Sequence, residues 1–310
     1  MNARVLAPLR PGSRVALVAP SGPLEPGRLE RAVGLLRGWG LEPVPFPSTT
    51  AAHPRASYLA GSDEQRAADL QQAWCDPGYA AVFCVRGGYG AVRVLDRLDV
   101  GAMRAAEPKP LFGSSDVTAL HEWFAERLGV PTWFSPMVAT GALLDDEAAT
   151  ADLRRAVVGP AGPRTWTSPA AATLVPGVAE GRLVGGNLSL LAMTLGARGR
   201  PVPDHTGCIV LLEDVTEETY RLDGYLQALL RAGWFSRVAG IALGGWYACS
   251  PLAEIRALAL ELLAPLGVPL VEELGFGHGP GAHTLPLGVA GRLVADDRPR
   301  LEVDVGDGSR

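Results

Sequence analysis

Through the first half of the chain, short apolar runs that stop at glycine or proline alternate with stretches whose apolar residues recur every three or four positions. RVALVAP (14–20) is continuous and apolar, as a strand buried on both faces should be. PGRLERAVGLLRGWG (26–40) places Leu29, Val33 and Leu36 on one helical face and ends at glycine. LEPVPFP follows as an extended segment. GSDEQRAADLQQAW (61–74) opens on Ser62 with Gln65 three residues later, the start of a capping box. AAVFCVRGGYG (80–90) is a strand running into glycines and AVRVLDRLD a helix. KPLFGSSD with VTALHEWFAERLG repeats the unit, and VPTWFSP closes it. Strand and helix alternating through short connections predict a parallel sheet covered on both faces.

The second half mixes periods. GRLVGG, CIVLLED (208–214), VAGIALGGW and VPLVEELG read as strands. NLSLLAMTLG (187–196), TYRLDGYLQALLRAG and PLAEIRALALELLAPLG read as helices, the first capped by Asn187 and the last started by proline. VAGRLVADDRPRLEVDV predicts a terminal hairpin. Between the halves, RRAVVGPAGPRTWTSPAAATLVPG is rich in Pro, Gly, Ala and Thr. The expected organisation is therefore a domain over 1–142, a linker over 143–178 and a second domain over 179–310.

Composition narrows the function. The 310 residues are 47% hydrophobic and 20% charged, as in ordinary globular chains. A net charge of −5 and a pI near 5.6 argue against a nucleic-acid partner. No apolar run approaches the roughly 20 residues of a membrane span, and the N-terminal apolar stretch is too short and proline-flanked for a signal peptide. Cys75, Cys84, Cys208 and Cys249 lack metal or redox spacing and read as free thiols. A cytoplasmic protein with no membrane partner is expected.

Two polar loops fall where parallel sheets bind ligands, beyond the carboxyl ends of strands: RGGYG (86–90) and GSSD (113–116). The first is either a tight turn or a backbone that approaches a substrate closely. It is no dinucleotide fingerprint, because the first strand lacks GxGxxG. The second is either a helix cap or a nucleophile elbow, though Val117 stands where G-x-S-x-G has its second glycine. A serine nucleophile needs a base. His53 lies in a Pro/Ala-rich loop and His205 in a polar one, and both are expected in solvent. His121, in HEWFA, forms no HExxH zinc motif and should pack or cap. His278, in GFGHGPG, has the glycine-flanked setting of a base, with His283 as its competitor. Glu213, ending CIVLLE, is the acid best placed to orient a histidine, whereas alternation should point Asp214 elsewhere.

VALVAPSGP, VRGGYGAVRVLDRLD, GSSDVTALH, GRLVGGNLSLL, LLEDVTEETYRLDGYL and GFGHGPGAHTLPLG occur in order along nearly the whole chain. Together they resemble the serine LD-carboxypeptidases, the muramoyl-tetrapeptide carboxypeptidase family that also includes the microcin C immunity peptidases. The resemblance implies a flavodoxin-like N-terminal domain, a β-rich α/β C-terminal domain and a homodimer. It implies Ser115 as nucleophile, His278 as base, Glu213 as its orienter, and an oxyanion hole of the Gly88 and Asp116 N–H groups, with no metal or cofactor. The implied reaction is hydrolysis of the amide between an L-configured diamino acid centre and a terminal D-alanine in a muropeptide. Arg86, beside the glycines, is the candidate for the terminal carboxylate. Two departures stand out: Ser114 where the family usually has an aromatic, and Gly224 where its helix motif usually ends in arginine. One alternative is a microcin C immunity-like peptidase acting on peptidyl- or aminoacyl-nucleotides, with Trp246 and Tyr247 as an aromatic platform. The other is an inactive binding relative.

Overall fold

The computed structural model describes residues 7–197 and 201–306, so the first residues of the N-terminal domain and the last of the C-terminal one lie outside them. The described residues form two compact units, one of 7–161 with 284–286 and 306, the other of 162–197 and 201–283 with 287–305.

Unit 1 is a parallel α/β layer structure. Its sheet holds β1 (Arg14–Val18), β2 (Glu42–Pro45), β3 (Ala81–Cys84), β4 (Leu111–Gly113) and β5 (Thr132–Phe134) in the order β2-β1-β3-β4-β5. The pairings among these five are all parallel, and the order is that of flavodoxin-like folds. A further strand, β12 (Leu285–Leu287), comes from near the far end of the chain and lies beside β5. Phe83, Phe112 and Trp133 are register partners on successive strands and stack almost flat, with centroids 4.5 and 5.9 Å apart. This ladder stiffens three strands, two of which, β3 and β4, carry the polar loops at their carboxyl ends.

Between the strands run α1 (Arg28–Gly38), α2 (Asp63–Cys75), α3 (Ala91–Val94), α4 (Val100–Ala105) and α5 (Thr118–Trp123). Ser62 caps α2 as its sequence requires, its hydroxyl accepting from Gln65 N at 3.2 Å. The stretch expected as a linker is structured. It contains the second half of α6 (Gly141–Leu144) and all of α7 (Glu147–Val158), β6 (Gly162–Trp166) and β7 (Ala172–Val175). Helix α7 buries Ala149, Leu153, Ala156 and Val157, a helical stripe that the Pro- and Gly-rich flank obscures.

Unit 2 is built on eight strands in the order β6-β14-β13-β8-β9-β10-β11-β7. Here β8 is Gly177–Asn187, β9 Ile209–Val215, β10 Gly240–Tyr247, β11 Leu270–Glu272, β13 Ala290–Ala295 and β14 Arg300–Val305. Strands β8 to β11 run parallel, while β13, β14, β6 and the edge strand β7 add antiparallel pairs. The helices are α8 (Leu188–Met193), α9 (Thr219–Arg231) and α10 (Leu252–Leu262). They close over a core that includes Val210, Leu212, Leu226, Trp234 and Ile241. Cys84 and Cys208 are buried, Cys75 and Cys249 partly so, and all four are free thiols. Among the described residues, no helix is long and apolar enough to cross a membrane, and no cluster of three His, Cys, Asp or Glu could hold a metal ion.

Candidate active site

Five non-glycine residues among those described adopt positive φ, and four follow the carboxyl ends of strands: Ser115 after β4, Thr216 after β9, Ala248 after β10 and Glu273 after β11. Left-handed backbone at a non-glycine residue costs on the order of 1–3 kcal/mol and persists where its surroundings enforce it.

In unit 1 that residue is Ser115, with φ 58°. Its neighbours leave the backbone little freedom. A Cβ on Gly113 would fall 2.8 Å from Val117 Cγ1 and 3.1 Å from Cys84 Cβ, so only glycine lets β4 end this close to the turn. The Gly113 carbonyl accepts from Ser135 N at 3.0 Å and from His121 Nε2 at 2.9 Å. His121 thus anchors the strand end from below, fully buried, and burial lowers its pKa from 6.5 to about 4. The capping reading of the two serines fails: Ser114 precedes the 3-10 turn Ser115–Val117 without a side-chain cap, and α5 follows its N-cap Val117 likewise without one. The second glycine missing from the elbow motif is replaced from the neighbouring loop. A Cβ on Gly87 would lie 3.1 Å from Ser115 Cβ and 3.3 Å from its Oγ, so Gly87 clears the space beside the hydroxyl.

Gly88 and Tyr89 are exposed beyond Gly87, with Gly88 at φ 99°. Asp116 is buried, and its Oδ2 accepts from Ala91 N at 2.7 Å, tying the serine turn to the end of the glycine loop. Burial is the largest influence on this carboxyl and raises its pKa. Arg86 is half-buried and donates through Nη1 to the Pro23 carbonyl.

In unit 2 an acid and a histidine stand side by side. His278 Nδ1 lies 2.6 Å from Glu213 Oε2, and Glu213 is completely buried at the end of β9. A carboxylate can only accept, so Nδ1 carries the proton and Nε2 is left as the basic atom. Burial, the largest single influence on the ring, opposes its charge. The Glu213 charge and hydrogen bond, with the Asp214 charge, outweigh it and raise the pKa of His278 above 6.5. Gly277 makes the approach possible: with φ 119°, its missing Cβ would stand 2.7 Å from Glu213 Oε2. Gly244 and Gly245 seat the same loop, Gly245 N donating to the Phe276 carbonyl at 2.8 Å.

His283 is not equivalent, since its Nε2 bonds the Thr167 carbonyl at 2.8 Å. Two expectations are corrected. His205 is buried rather than solvated, packed edge-on against Trp234 at 4.3 Å, with its pKa lowered to about 4 by burial. Its polar sequence neighbours concealed this. Asp214 does not point away from the site network. Asn187 Nδ2 donates both to Asp214 Oδ1 at 2.8 Å and to Glu213 Oε1 at 3.3 Å, because β8 ends beside both acids. Burial, then the Glu213 charge, raises Asp214 to about 6. Asn187 is the residue that sequence reasoning assigned only a cap; it does cap α8, accepting from Leu190 N at 3.2 Å. Trp246, in register with Asp214 on β10, is partly buried against the unit 2 core, with Tyr247 exposed beside it. At Gly224 an added Cβ would meet nothing within 4 Å.

A strained serine at one strand end and a carboxylate-held histidine at another are groups of the kinds that serine hydrolases use. Comparison with known proteins agrees: the LD-carboxypeptidase N-terminal domain matches residues 15–135 and the LD-carboxypeptidase C-terminal domain residues 180–293. The chain belongs to the LD-carboxypeptidase family of serine peptidases.

Among its relatives, a Streptomyces coelicolor protein with a provisional carboxypeptidase name is 50% identical over 95% of this chain and 96% of its own. The murein tetrapeptide carboxypeptidase of Pseudomonas aeruginosa is 34% identical over 89% and 91%. The solved muramoyltetrapeptide carboxypeptidase of Oxalobacter formigenes superposes with a TM-score of 0.80 at 26% identity, covering 95% of this chain and 99% of that one. The microcin C7 self-immunity protein MccF, in complex with aspartyl sulfamoyl adenosine, shares the fold, with a TM-score of 0.84, 23% identity and coverage of 97% and 98%.

Proposed function

We propose that the protein is a serine LD-carboxypeptidase that removes the terminal D-alanine from muropeptide tetrapeptides by cleaving its amide to an L-configured diamino acid centre. The observation that carries this reading is the Ser115 turn: the hydroxyl of a residue held at φ 58°, with Gly87 clearing the space beside it. In the proposed mechanism, Ser115 Oγ attacks the scissile carbonyl while His278 Nε2 takes its proton. The Gly88 and Asp116 N–H groups receive the oxyanion, each such donor being worth roughly 2.7–4 kcal/mol in the transition state. Glu213 holds the ring in the required tautomer and stabilises the imidazolium. His278 then protonates the departing D-alanine amine, and water hydrolyses the acyl-enzyme. Arg86 is the proposed partner of the substrate's terminal carboxylate.

Incubation with an L,D-linked muramoyl tetrapeptide tests the reading. Wild type should release D-alanine, and Ser115→Ala should lose at least about 10⁴-fold in rate. No release by the folded wild type would refute the tetrapeptide assignment. A second reading, action on aminoacyl-nucleotides, draws on Trp246 and the exposed Tyr247 at the end of β10. Cleavage of such a nucleotide without cleavage of the tetrapeptide would select it.

A further inference from the structure

Arg66 is one of the largest fully buried side chains of the protein, with none of its surface exposed. Burying a guanidinium is costly, and a hydrophobic residue of similar volume would pack α2 against the sheet at least as well. What surrounds Arg66 accounts for its presence. Nη1 donates to the Gly90 carbonyl at 2.9 Å and to the Pro20 carbonyl, and Nη2 pairs with Asp63. Pro20 belongs to the loop after β1 and Gly90 to the loop after β3, so one side chain joins both. The fit is close: at Gly90, with φ 134°, a Cβ would lie 2.6 Å from Arg66 Nη1 and 2.7 Å from Leu59 Cδ2.

The next atom along the chain completes the arrangement. Gly90 O and Ala91 N belong to one peptide group. Its carbonyl is held by Arg66 and its N–H by Asp116 Oδ2 at 2.7 Å, Asp116 being the residue after the nucleophile candidate. Three residues earlier, the Gly87 carbonyl accepts from Gly22 N at 3.0 Å. The loop is therefore fixed at Gly87 and at the 90–91 peptide, and Gly88 and Tyr89 form an exposed bow between the two anchors.

We propose that Arg66 is a positioning residue for the oxyanion loop, clamping the Gly90–Ala91 peptide against Asp116 so that the Gly88 N–H is held in fixed relation to Ser115. This rests on the reading of Gly88 as an oxyanion donor. Arg66 touches no reacting atom. Its effect falls on the step in which charge develops, where a misplacement of about 1 Å costs on the order of 100-fold.

The test compares wild type, Arg66→Met and Arg66→Lys, with steady-state D-alanine release from the muramoyl tetrapeptide and amide hydrogen exchange across residues 86–91. Methionine keeps the volume and removes the donors; lysine restores one. The expected result is a kcat about 100-fold lower in Arg66→Met with KM changed less than about threefold, and partial recovery in Arg66→Lys. Exchange should quicken at 86–91 while the strands of the sheet keep their protection. An unchanged kcat per folded molecule would overturn the proposal. So would a loss of activity that follows a uniform rise in exchange over α2 and the sheet, the signature of a structural role alone. If Arg66→Met does not fold, Arg66→Lys carries the same comparison. If wild type releases no D-alanine, the functional reading fails and the exchange measurement decides the clamp alone: quickening confined to 86–91 upholds it, and unchanged exchange overturns it.

Discussion

The serine turn of unit 1 and the acid–histidine pair of unit 2 both lie at carboxyl ends of parallel strands, yet they are made by different means. Ser115 is placed by backbone: a left-handed φ, a glycine at 113 that nothing larger could replace, and a glycine at 87 that leaves room beside the hydroxyl. His278 is placed by charge: a fully buried carboxylate 2.6 Å away, with Asn187 bonded to that acid and its neighbour. The contrast fits the roles proposed for the two residues, Ser115 as nucleophile and His278 as base. A nucleophile must project accurately but stay accessible, and a rigid main chain provides that without covering it. A base must also hold one tautomer and tolerate a positive charge, which only a nearby anion supplies.

The sharpest way to break the comparison is to remove the charge and keep the shape. Glu213→Gln should lower kcat for D-alanine release by on the order of 10³–10⁴-fold, because an amide can present its NH₂ to Nδ1 and favour the wrong tautomer. An NMR titration of the variant should show the His278 pKa falling from its raised value. A ring that titrates unchanged would show that Glu213 does not set its charge.

A smaller effect is expected where unit 2 does depend on backbone. Gly277→Ala forces a Cβ to within 2.7 Å of Glu213 Oε2 at a φ of 119°. It should reduce kcat by roughly 10- to 100-fold through displacement of the ring, with a lower Tm in a thermal melt. Wild-type kinetics in this variant would mean that the loop has slack.

The last effect concerns stability rather than rate, and its sign differs between the histidines. The folded pKa of His278 is raised above 6.5, so its contribution is fully present below 6.5 and is lost as pH rises through the folded value. That of His121 is lowered to about 4, so its contribution is full above 6.5 and is lost progressively as pH falls toward 4, amounting to about 3 kcal/mol. Denaturant unfolding of His278→Gln and His121→Gln against wild type, from pH 4.5 to 9, should give stability differences of opposite slope. Parallel slopes would contradict the assigned environments.

The sequence made much of this arrangement legible. The strands of unit 1 are short, continuous and apolar, and glycine, proline or serine marks their ends, so the parallel sheet could be read directly. The stretch 143–178 could not. Its composition suggests a linker, and the Ala149–Leu153–Ala156–Val157 stripe of α7 is weak, two of its four members being alanine. Strand β12 was hidden for another reason: LPL lies among glycines, and its partner β5 is remote in sequence. Ser115, Glu213 and His278 stood out through resemblance and strand-end placement. The Arg66 contacts did not, because an arginine on an otherwise amphipathic helix reads as solvent-facing until tertiary structure converges acceptors on it.

The late strand β12 also bears on how the protein is made. Strand β5 is synthesised by residue 134, but the segment that covers its free edge, Leu285–Leu287, follows roughly 150 residues later, on the order of 10–30 s at ribosomal speeds of about 5–20 residues per second. Throughout that interval the nascent N-terminal sheet presents Thr132–Phe134 as an unpaired rim, the kind of surface that recruits other strands. Truncation shortly before residue 285 would make this exposure permanent, so such a fragment should be prone to aggregation.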